Sequence, residues 1–281
     1  MNLINIESNT KSFILNQIGD FRANIAVVLG SGLSDLVTDL ENASFISYSD
    51  VPGLDLPNVA GHSASFAYGA LHGVNVLFLQ GRPHWYQGVD ASVFHILMHV
   101  VKAFGCKEIL MTNAAGAIDP SFPVGSIVSI FDHINFQGKN PLLGLTQNNN
   151  CFIGLENCYD SSFRQRIKFI ANKNKIKLHD GVYIGTLGPC FETPAEIKMF
   201  ANFGAHVIGM STIPEVLTAR YYGLKVAVLS LISNRAAGCG DEDLSHELTL
   251  SRVKMASGNM RSLVNHFIAS HSISNTREHH D

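Results

Sequence analysis

The sequence predicts an α/β fold built as one domain. Apolar, β-branched-rich runs such as Leu224–Ile232 are typical of strands buried on both faces of a sheet. Other segments, such as Asp90–Phe104, repeat their apolar residues with the spacing of an amphipathic helix. The 281 residues contain no Pro/Ser-rich linker, so we expect a single unit over 1–281, with a core of about 24–268 and a polar tail at 270–281.

The composition narrows the class of protein. Hydrophobic residues make up 46% and charged residues only 15%, so we expect part of the surface to contact another subunit. The net charge of −3, without a basic run, argues against an extended nucleic-acid surface. The five scattered cysteines lack a C-x-x-C pair and predict reduced thiols. Neither a signal-peptide pattern nor an apolar run near the roughly 20 residues of a membrane span is present, which predicts a cytoplasmic protein without membrane attachment.

The first strand leads directly into a glycine-rich turn. Ser8–Gly19 has the pattern of a capped helix, and Asn24–Leu29 that of a short buried strand. Gly30, Ser31 and Gly32 follow at once, and glycine allows backbone N–H groups and a hydroxyl to approach a phosphate closely. The same residues also fit a tight strand-to-helix turn, and the pattern alone leaves both interpretations open.

A predicted hairpin precedes a second polar cluster. Ser63–Leu71 and Val74–Leu79 form the hairpin, and Arg82, His84 and Tyr86 follow at alternate positions. If the backbone stays extended, these three side chains point the same way, which suits a phosphate and a sugar. The arginine would bind phosphate oxygens in a fork, the histidine would donate a second bond, and the tyrosine would contact a ribose. A surface loop with a capping arginine is the alternative.

The next helix contains two histidines, and the next strand ends in small residues. His95 and His99 lie one turn apart in the Asp90–Phe104 helix, and two histidines at this spacing can bind a metal. No third ligand is evident nearby. We therefore favour histidines that lie at the edge of the core or in solvent, and we predict no metal. The strand Glu108–Met111 is predicted to stop before Thr112–Gly116, where small side chains leave room for a ligand.

A glutamate beside an aromatic ring precedes the next predicted helix start. Thr193 and Glu196 form a capping box with a proline at the first helical position. This leaves Glu192 outside the helix, next to Phe191, where the ring can stack on a planar heterocycle while the carboxylate accepts its N–H groups. A simple charge at a helix start is the alternative. Upstream of this point we predict a strand, a helix and a strand at Ser126–Asn135, Ser161–Lys175 and Gly181–Thr186.

The segment Gly209–Asn234 joins two candidate ligand groups. Ser211 precedes a helix that starts at Pro214 and Glu215, and free backbone N–H groups at such a start attract anions. The buried strand that follows ends near Asn234, and open α/β sheets place ligands at such strand ends.

The loop after Asn234 is small and polar, as in a mobile lid. Residues 235–246 therefore have the composition of a lid, but the pattern leaves open whether they act as one, and we expect a helix from Ser245 to about Ile268. His246, just inside that helix, either faces a ligand or faces solvent, and the pattern leaves both open.

Seven motifs occur in the order found in one enzyme family. They are GSGL at 30–33, GH at 61–62, GRPHWYQG at 81–88, TNAAG at 112–116, GPCFETPAE at 188–196, GMSTIPEV at 209–216 and NRAAG at 234–238. The chain thus resembles the trimeric purine nucleoside phosphorylases from about residue 24 to 268. Members of that family cleave a purine ribonucleoside with inorganic phosphate to the free base and α-ribose 1-phosphate.

The resemblance implies a phosphorylase-type domain with a mixed, twisted sheet flanked by helices, acting as a homotrimeric pentosyltransferase of purine salvage. It implies no cofactor, because inorganic phosphate is a co-substrate. The implied catalytic residues are Asn234, Glu192 and His84. The implied phosphate ligands are Ser31, His62, Arg82, His84, the Ala114 backbone and Ser211. The implied ribose contacts are Tyr86, Met210, His246 and, from a neighbouring subunit, Phe152, while the implied base contacts are Phe191, Glu192 and Asn234.

Two residues narrow the substrate that the resemblance implies. Asn234 stands where methylthioadenosine phosphorylases carry an aspartate, which favours a 6-oxopurine such as that of inosine or guanosine over adenine. His246 at the sugar end favours a 5′-hydroxyl over a thioether. The alternatives are a methylthioadenosine or broader-specificity phosphorylase, and a nucleoside-binding homologue without turnover. Gln87 replaces the usual glutamate of the family, which leaves open how His84 is supported.

Overall fold

The structure is a computed structural model that describes residues 3–30, 32–54, 56, 64–145, 152–240 and 246–275. Of these, residues 3–5, 246–255 and 273–275 are described by their backbone alone. The strands are β1 (Ile25–Leu29), β2 (Glu41–Ser47), β3 (Ser65–Leu71), β4 (Val74–Gln80), β5 (Glu108–Ala117), β6 (Ile127–Asn135), β7 (Leu178–Gly185), β8 (Val207–Gly209) and β9 (Lys225–Arg235). The helices are α1 (Leu3–Ile18), α2 (Ser92–Ala103), α3 (Ser161–Lys173), α4 (Pro194–Asn202), α5 (Ile213–Tyr221) and α6 (His246–Asn275).

The strands form one mixed sheet that closes on itself. Its order is β2-β3-β4-β1-β5-β8-β7-β6-β9, and β5 also pairs with β9. β1 runs parallel to β4 and β5, and β5 runs parallel to β9. β8 pairs with β5 in antiparallel orientation, and so does β6 with β9. The additional β5–β9 pairing joins β5, β8, β7, β6 and β9 into a barrel. The predicted α/β fold with a mixed, helix-flanked sheet is confirmed.

Both faces of the sheet are buried along its central strand β1, as the apolar run predicted. In β1, Ala26 and Val28 pack into one hydrophobic cluster with α1, α2 and α5, while Ile25, Val27 and Leu29 pack into another with α3 and α6. This alternation follows from the two-residue period of a strand. The barrel and its flanking helices therefore hold the ends of β1, β5 and β9 in fixed positions.

The longest helix, α6, has 30 residues and covers one face of the sheet. It continues to Asn275, beyond the predicted end near Ile268. No helix in the described ranges combines the length and hydropathy needed to span a bilayer. The side chains that anchor α6 are all buried, namely Met260, Leu263, Val264, Phe267 and Ile268.

Two strands extend further than predicted. β5 does not end at Met111 but runs to Ala117, and β9 runs to Arg235, so that Thr112–Gly116 and Asn234 lie inside strands. The reason is pairing between the two strands, which continues to Ala117 opposite Arg235 through a bulge at Ala115/Gly116. Pairing between distant segments therefore overrides the small side chains that suggested a loop.

One edge of β5 opens in its middle. β1 pairs with this strand only as far as Met111, and β8 joins the same edge only at Gly116 and Ala117. β9 occupies the other edge along the whole strand. Among the described pairings, Thr112–Ala115 therefore have no strand beside them on the β1 edge. Crevices of this kind, beyond the carboxyl end of a strand, are where α/β sheets bind ligands.

Candidate active site

The glycine-rich turn begins against this open edge. The Gly30 N–H donates to Thr112 Oγ1 at 2.8 Å, and that hydroxyl donates to the Val28 carbonyl at 3.0 Å. A Cβ on Gly30 would lie 2.5 Å from the Thr112 carbonyl oxygen, so only glycine allows this approach. Ser31 lies outside the described residues, and its phosphate contact stays a prediction.

Arg82 enters the same opening from the end of β4. Its Nη1 donates to the Thr112 carbonyl at 2.8 Å, and its Nε lies 2.8 Å from Glu215 Oε2 in an ion pair that is not aligned as a hydrogen bond. The side chain is only 7% exposed. Within the described part of the chain, Nη2 is buried and has no hydrogen-bond partner. The guanidinium is therefore fixed on two sides and keeps one nitrogen for an anion.

Glu215, in the first turn of α5, is 1% exposed. Burial raises the pKa of its carboxyl, and the Arg82 charge acts in the opposite direction. The sequence identified Glu215 only as a helix-start acid. Its partner is far away in the chain, so no local pattern indicated the pair.

Ser211 and Thr212 form a strained turn at the start of α5. Thr212 has φ 71° and ψ −51°, and the Ile213 N–H donates to the Ser211 carbonyl at 2.8 Å, which together define the rarer γ-turn. The Ser211 N–H donates to Tyr183 Oη at 3.3 Å. The expectation of free N–H groups is therefore wrong for Ser211 and Ile213, because the γ-turn and the tyrosine already engage them. The Ser211 hydroxyl lies 2.9 Å from Thr212 Oγ1.

The Thr212 hydroxyl ties this turn to β5, because it accepts a bond from Asn113 Nδ2 at 2.8 Å. Asn113 and Thr212 are 4% and 2% exposed, and Asn113 Oδ1 is already unpartnered within the described ranges. Replacing Thr212 with alanine is therefore expected to lower the free energy of unfolding by about 1–3 kcal/mol, the cost of an unsatisfied buried donor. Urea unfolding measures this, with Thr212→Ser as the control that keeps the hydroxyl. Equal stability of the two variants would contradict the assignment.

Two predicted ribose contacts lie together beside the base loop. Gly188 has φ 71°, and a Cβ there would lie 2.5 Å from Met210 Sδ and 3.0 Å from Tyr86 Cδ1. The Tyr86 ring stacks on His84 with 4.7 Å between centroids. The structure therefore brings Tyr86, Met210 and His84 into one region, next to the segment that carries Phe191 and Glu192.

Gln87 supports His84 through the backbone. Its side-chain oxygen accepts from the His84 N–H at 2.7 Å, while the His84 side chain accepts from the Gln87 N–H. This reciprocal pair is a capping box on a short 3₁₀ turn. An amide oxygen accepts here as a carboxylate would, so the departure from the family's glutamate leaves the backbone of His84 held.

Asn234 is a nearly buried amide, and among the described residues one of its amide hydrogens has no partner. Its Oδ1 accepts from Ser233 Oγ at 2.7 Å, and its Nδ2 donates to the Arg235 carbonyl at 2.8 Å. Gly116 lies opposite, where a Cβ would come within 3.2 Å of Nδ2. Because an amide nitrogen carries two hydrogens, one remains for a ligand, and its direction is fixed by the other two bonds.

Glu192 lies beside the capping box that the sequence predicted. Thr193 and Glu196 form that box, with Pro194 at the first helical position, and the prediction is confirmed. Glu192 Oε1 accepts from Thr186 Oγ1 at 2.7 Å. Phe191 is 40% exposed, so part of the residue is accessible to a ligand. Sequence reasoning missed Thr186, which lies within a predicted strand and had no visible signal.

Several predicted residues are not tested by this geometry. His62 and the side chain of His246 lie outside what the structure describes, as do residues 241–245 of the candidate lid. The described start of that loop packs on α4, where a Cβ on Gly238 would lie 2.8 Å from Pro194 Cβ. Phe152 is 86% exposed on the single chain, and its contact with a neighbouring subunit stays a prediction.

One of the two histidines on α2, His95, is engaged by the protein itself. His95 is 1% exposed, with Nε2 2.8 Å from the Pro141 carbonyl and Nδ1 3.1 Å from Tyr222 Oη. Both ring nitrogens are thus used, which makes His95 a core histidine. Among the residues that can be described, no group of three or more His, Cys, Asp or Glu side chains is placed to hold a metal.

Comparison with known proteins identifies the family. Residues 24–269 match the family model of the phosphorylase superfamily. The chain is 40% identical over 227 residues to purine nucleoside phosphorylase 1 of Geobacillus stearothermophilus, covering 79% of this chain and 82% of that protein. Its structure matches that of Schistosoma mansoni purine nucleoside phosphorylase in complex with inosine, with a TM-score of 0.88, 32% identity and coverage of 95% and 96%. The Schistosoma enzyme in complex with guanosine matches with a TM-score of 0.86 at the same identity and coverage.

Proposed function

Because the chain belongs to the purine nucleoside phosphorylase family, we propose that it catalyses the reversible phosphorolysis of 6-oxopurine ribonucleosides and deoxyribonucleosides such as inosine and guanosine. The products are the free base and α-ribose or α-deoxyribose 1-phosphate. The observation that carries the proposal is the position of Arg82 at the opening of β5, next to the γ-turn that contains Ser211. Its Nη2 is buried there and has no hydrogen-bond partner among the described residues.

The phosphate end of the substrate would lie at this opening. Arg82 would supply a positive charge and Ser211 a hydroxyl. We also assign His84, the Ala114 backbone, Ser31 and His62 to this end. A net-neutral Arg82–Glu215 pair presents N–H donors without a large excess charge. Such a site suits a dianion that must be held and then released as a sugar phosphate.

The base end would be held by Phe191, Glu192 and Asn234. The ring stacks on the purine, the carboxylate accepts N1–H, and the free Nδ2 hydrogen of the amide donates to N7. Tyr86, Met210 and His246 would contact the ribose between the two ends. A 6-oxopurine fits this set because it offers N1–H as a donor, whereas the same ring position of adenine is an acceptor.

The chemistry needs no covalent enzyme intermediate. Breaking the glycosidic bond builds positive charge on the sugar and negative charge on the leaving purine. Phosphate held below C1′ attacks as the bond to N9 breaks, and the Asn234 amide stabilises the charge that develops at N7. The bond from the amide strengthens in the transition state, so it accelerates the reaction instead of merely tightening binding.

We further propose that the working form is a cytoplasmic homotrimer, in which Phe152 closes the sugar pocket of a neighbouring subunit. Its almost fully exposed ring supports this assignment, since a large apolar side chain is costly to leave in water. A methylthioadenosine or broader-specificity phosphorylase is the second candidate, favoured only if the amide of Asn234 tolerates a 6-amino group.

The test is phosphate-dependent release of the base. Inosine, guanosine, adenosine and methylthioadenosine are each incubated with the protein, with and without phosphate, and the free base is followed. We expect release from inosine and guanosine only when phosphate is present. Release from methylthioadenosine or adenosine instead would favour the second candidate, and no release from any nucleoside would identify a binding protein without turnover.

A further inference from the structure

Thr186 is held rigidly between the sugar and base regions. It follows β7 directly, and its N–H donates to the Gly209 carbonyl at 2.9 Å. Its own carbonyl accepts from Gln137 Nε2 at 3.2 Å, and the same amide lies 3.4 Å from the Met210 carbonyl. Both backbone groups of Thr186 are thus engaged, so its side chain has a fixed origin.

The Thr186 hydroxyl is committed to Glu192. Thr186 is 9% exposed, and its Oγ1 lies 2.7 Å from Glu192 Oε1. An ionised carboxylate only accepts, so the hydroxyl is the donor. Hydrogen bonds to a charged acceptor are short and strong, so this bond orients the plane of the carboxylate. It also uses one of the acceptor positions of Oε1. No other hydrogen bond to Glu192 occurs in the described part of the chain, which leaves Oε2 open.

We infer that Thr186 is a positioning residue that makes Glu192 prefer a purine with a single N–H donor on its N1 edge. This inference rests on the proposed function. Hypoxanthine presents N1–H alone, and one open carboxylate oxygen satisfies it. Guanine presents N1–H and a 2-amino group, which a free carboxylate would accept in a fork. With Oε1 already bonded to the hydroxyl, the 2-amino group must share that oxygen.

The inference gives Thr186 two separable effects. Fixing the carboxylate plane favours any base with N1–H, because less side-chain freedom is lost on binding. Occupying Oε1 disfavours only the base with the second donor. Removing the hydroxyl therefore weakens inosine use and weakens guanosine use less, because guanosine gains a fully available oxygen.

The experiment compares Thr186→Val, which keeps the shape of the side chain and removes the hydroxyl, with Thr186→Ser, which keeps the hydroxyl. At saturating phosphate, kcat and KM are measured for inosine and guanosine. In the valine variant we expect kcat/KM for inosine to fall about tenfold, chiefly through KM, as for the loss of one charged hydrogen bond. For guanosine we expect less than about a threefold change. The serine variant is expected to restore the wild-type ratio.

A binding measurement separates this inference from the proposed function. Hypoxanthine and guanine are titrated into the wild-type protein and both variants by calorimetry in the presence of phosphate, which needs no turnover. If the hypoxanthine-to-guanine affinity ratio is the same in the wild type and the valine variant, the inference is wrong, even when both affinities fall. If the ratio shifts as expected but the wild type releases no base from any nucleoside, the proposed function fails and the specificity role stands. Thermal unfolding of each variant verifies that it is folded.

Discussion

Replacing Asn234 with alanine is expected to lower kcat for inosine by about 100- to 1,000-fold, the loss seen when one preorganised donor to a developing negative charge is removed. Within the part of the chain that the structure describes, the amide has one hydrogen without a partner, and bonds to Ser233 Oγ and the Arg235 carbonyl set its direction. Such a preorganised donor acts mainly in the transition state, when N7 becomes more basic. We therefore expect KM to change much less than kcat in steady-state phosphorolysis of inosine.

Two control variants separate the donor from its support. Ser233→Ala removes the bond to Asn234 Oδ1 and the longer contact with the Ala115 carbonyl at 3.3 Å but keeps the amide itself. We therefore expect a smaller loss of about tenfold in kcat, as for one net hydrogen bond. Asn234→Asp keeps the size but replaces the free donor with an acceptor, so inosine turnover is expected to fall while the ratio of adenosine to inosine turnover rises. An alanine variant that turns over inosine at the wild-type rate would show that Asn234 has no catalytic role.

The sequence predicts the buried parts of the fold better than its edges. The Ser126–Asn135 and Ser161–Lys175 elements lie within one or two residues of β6 and α3. Their apolar patterns reflect burial, which depends on the segment itself. By contrast, β2 was missed because Glu41–Ser47 is largely polar and exposed, and its strand conformation depends on pairing with β3. The extension of β5 likewise depends on a distant strand.

The residues of the candidate site also differ in how well the sequence predicts them. Residues carried by motifs, such as Arg82 and Asn234, were identifiable because their types and spacing are characteristic. The groups that hold such residues in place, one of them a backbone carbonyl, were not identifiable. Thr112, Glu215 and Thr186 each act through a partner that the fold brings near, and for two of them that partner lies on another strand or helix far along the chain. A buried polar residue gives a single sequence no sign of the partner it will meet.

Replacing Glu215 with alanine is expected to lower the free energy of unfolding by about 3–5 kcal/mol, because it leaves a buried positive charge without its partner. Glu215 is 1% exposed and Arg82 7%, so water cannot readily replace the carboxylate. Urea unfolding at neutral pH measures the loss. Glu215→Gln is the matched control, because it keeps the size of the side chain and a polar oxygen beside Arg82 Nε, and we expect it to lose less stability than the alanine variant.

The same pair predicts a pH dependence with a defined sign. Burial raises the pKa of Glu215 above its ordinary value of 4.5, with Arg82 limiting the rise. The folded protein therefore keeps this proton at pH values where the unfolded chain has released it. The stabilisation that results is complete below the unfolded pKa and is lost as the pH rises through the folded pKa. Relative to Glu215→Gln, which has no such proton, the wild type is expected to lose stability over that interval.

The functional consequence of Glu215 should appear in phosphate use. With Nε and Nη1 held by Glu215 and the Thr112 carbonyl, the remaining nitrogen of Arg82 has one direction. Without the carboxylate, the guanidinium turns more freely and each phosphate bond costs more ordering, so we expect KM for phosphate to rise about tenfold in Glu215→Ala, as for one lost charge-assisted bond. KM for inosine is expected to change less. A folded alanine variant with the wild-type KM for phosphate would mean that Arg82 is oriented by Thr112 alone and that Glu215 serves stability only.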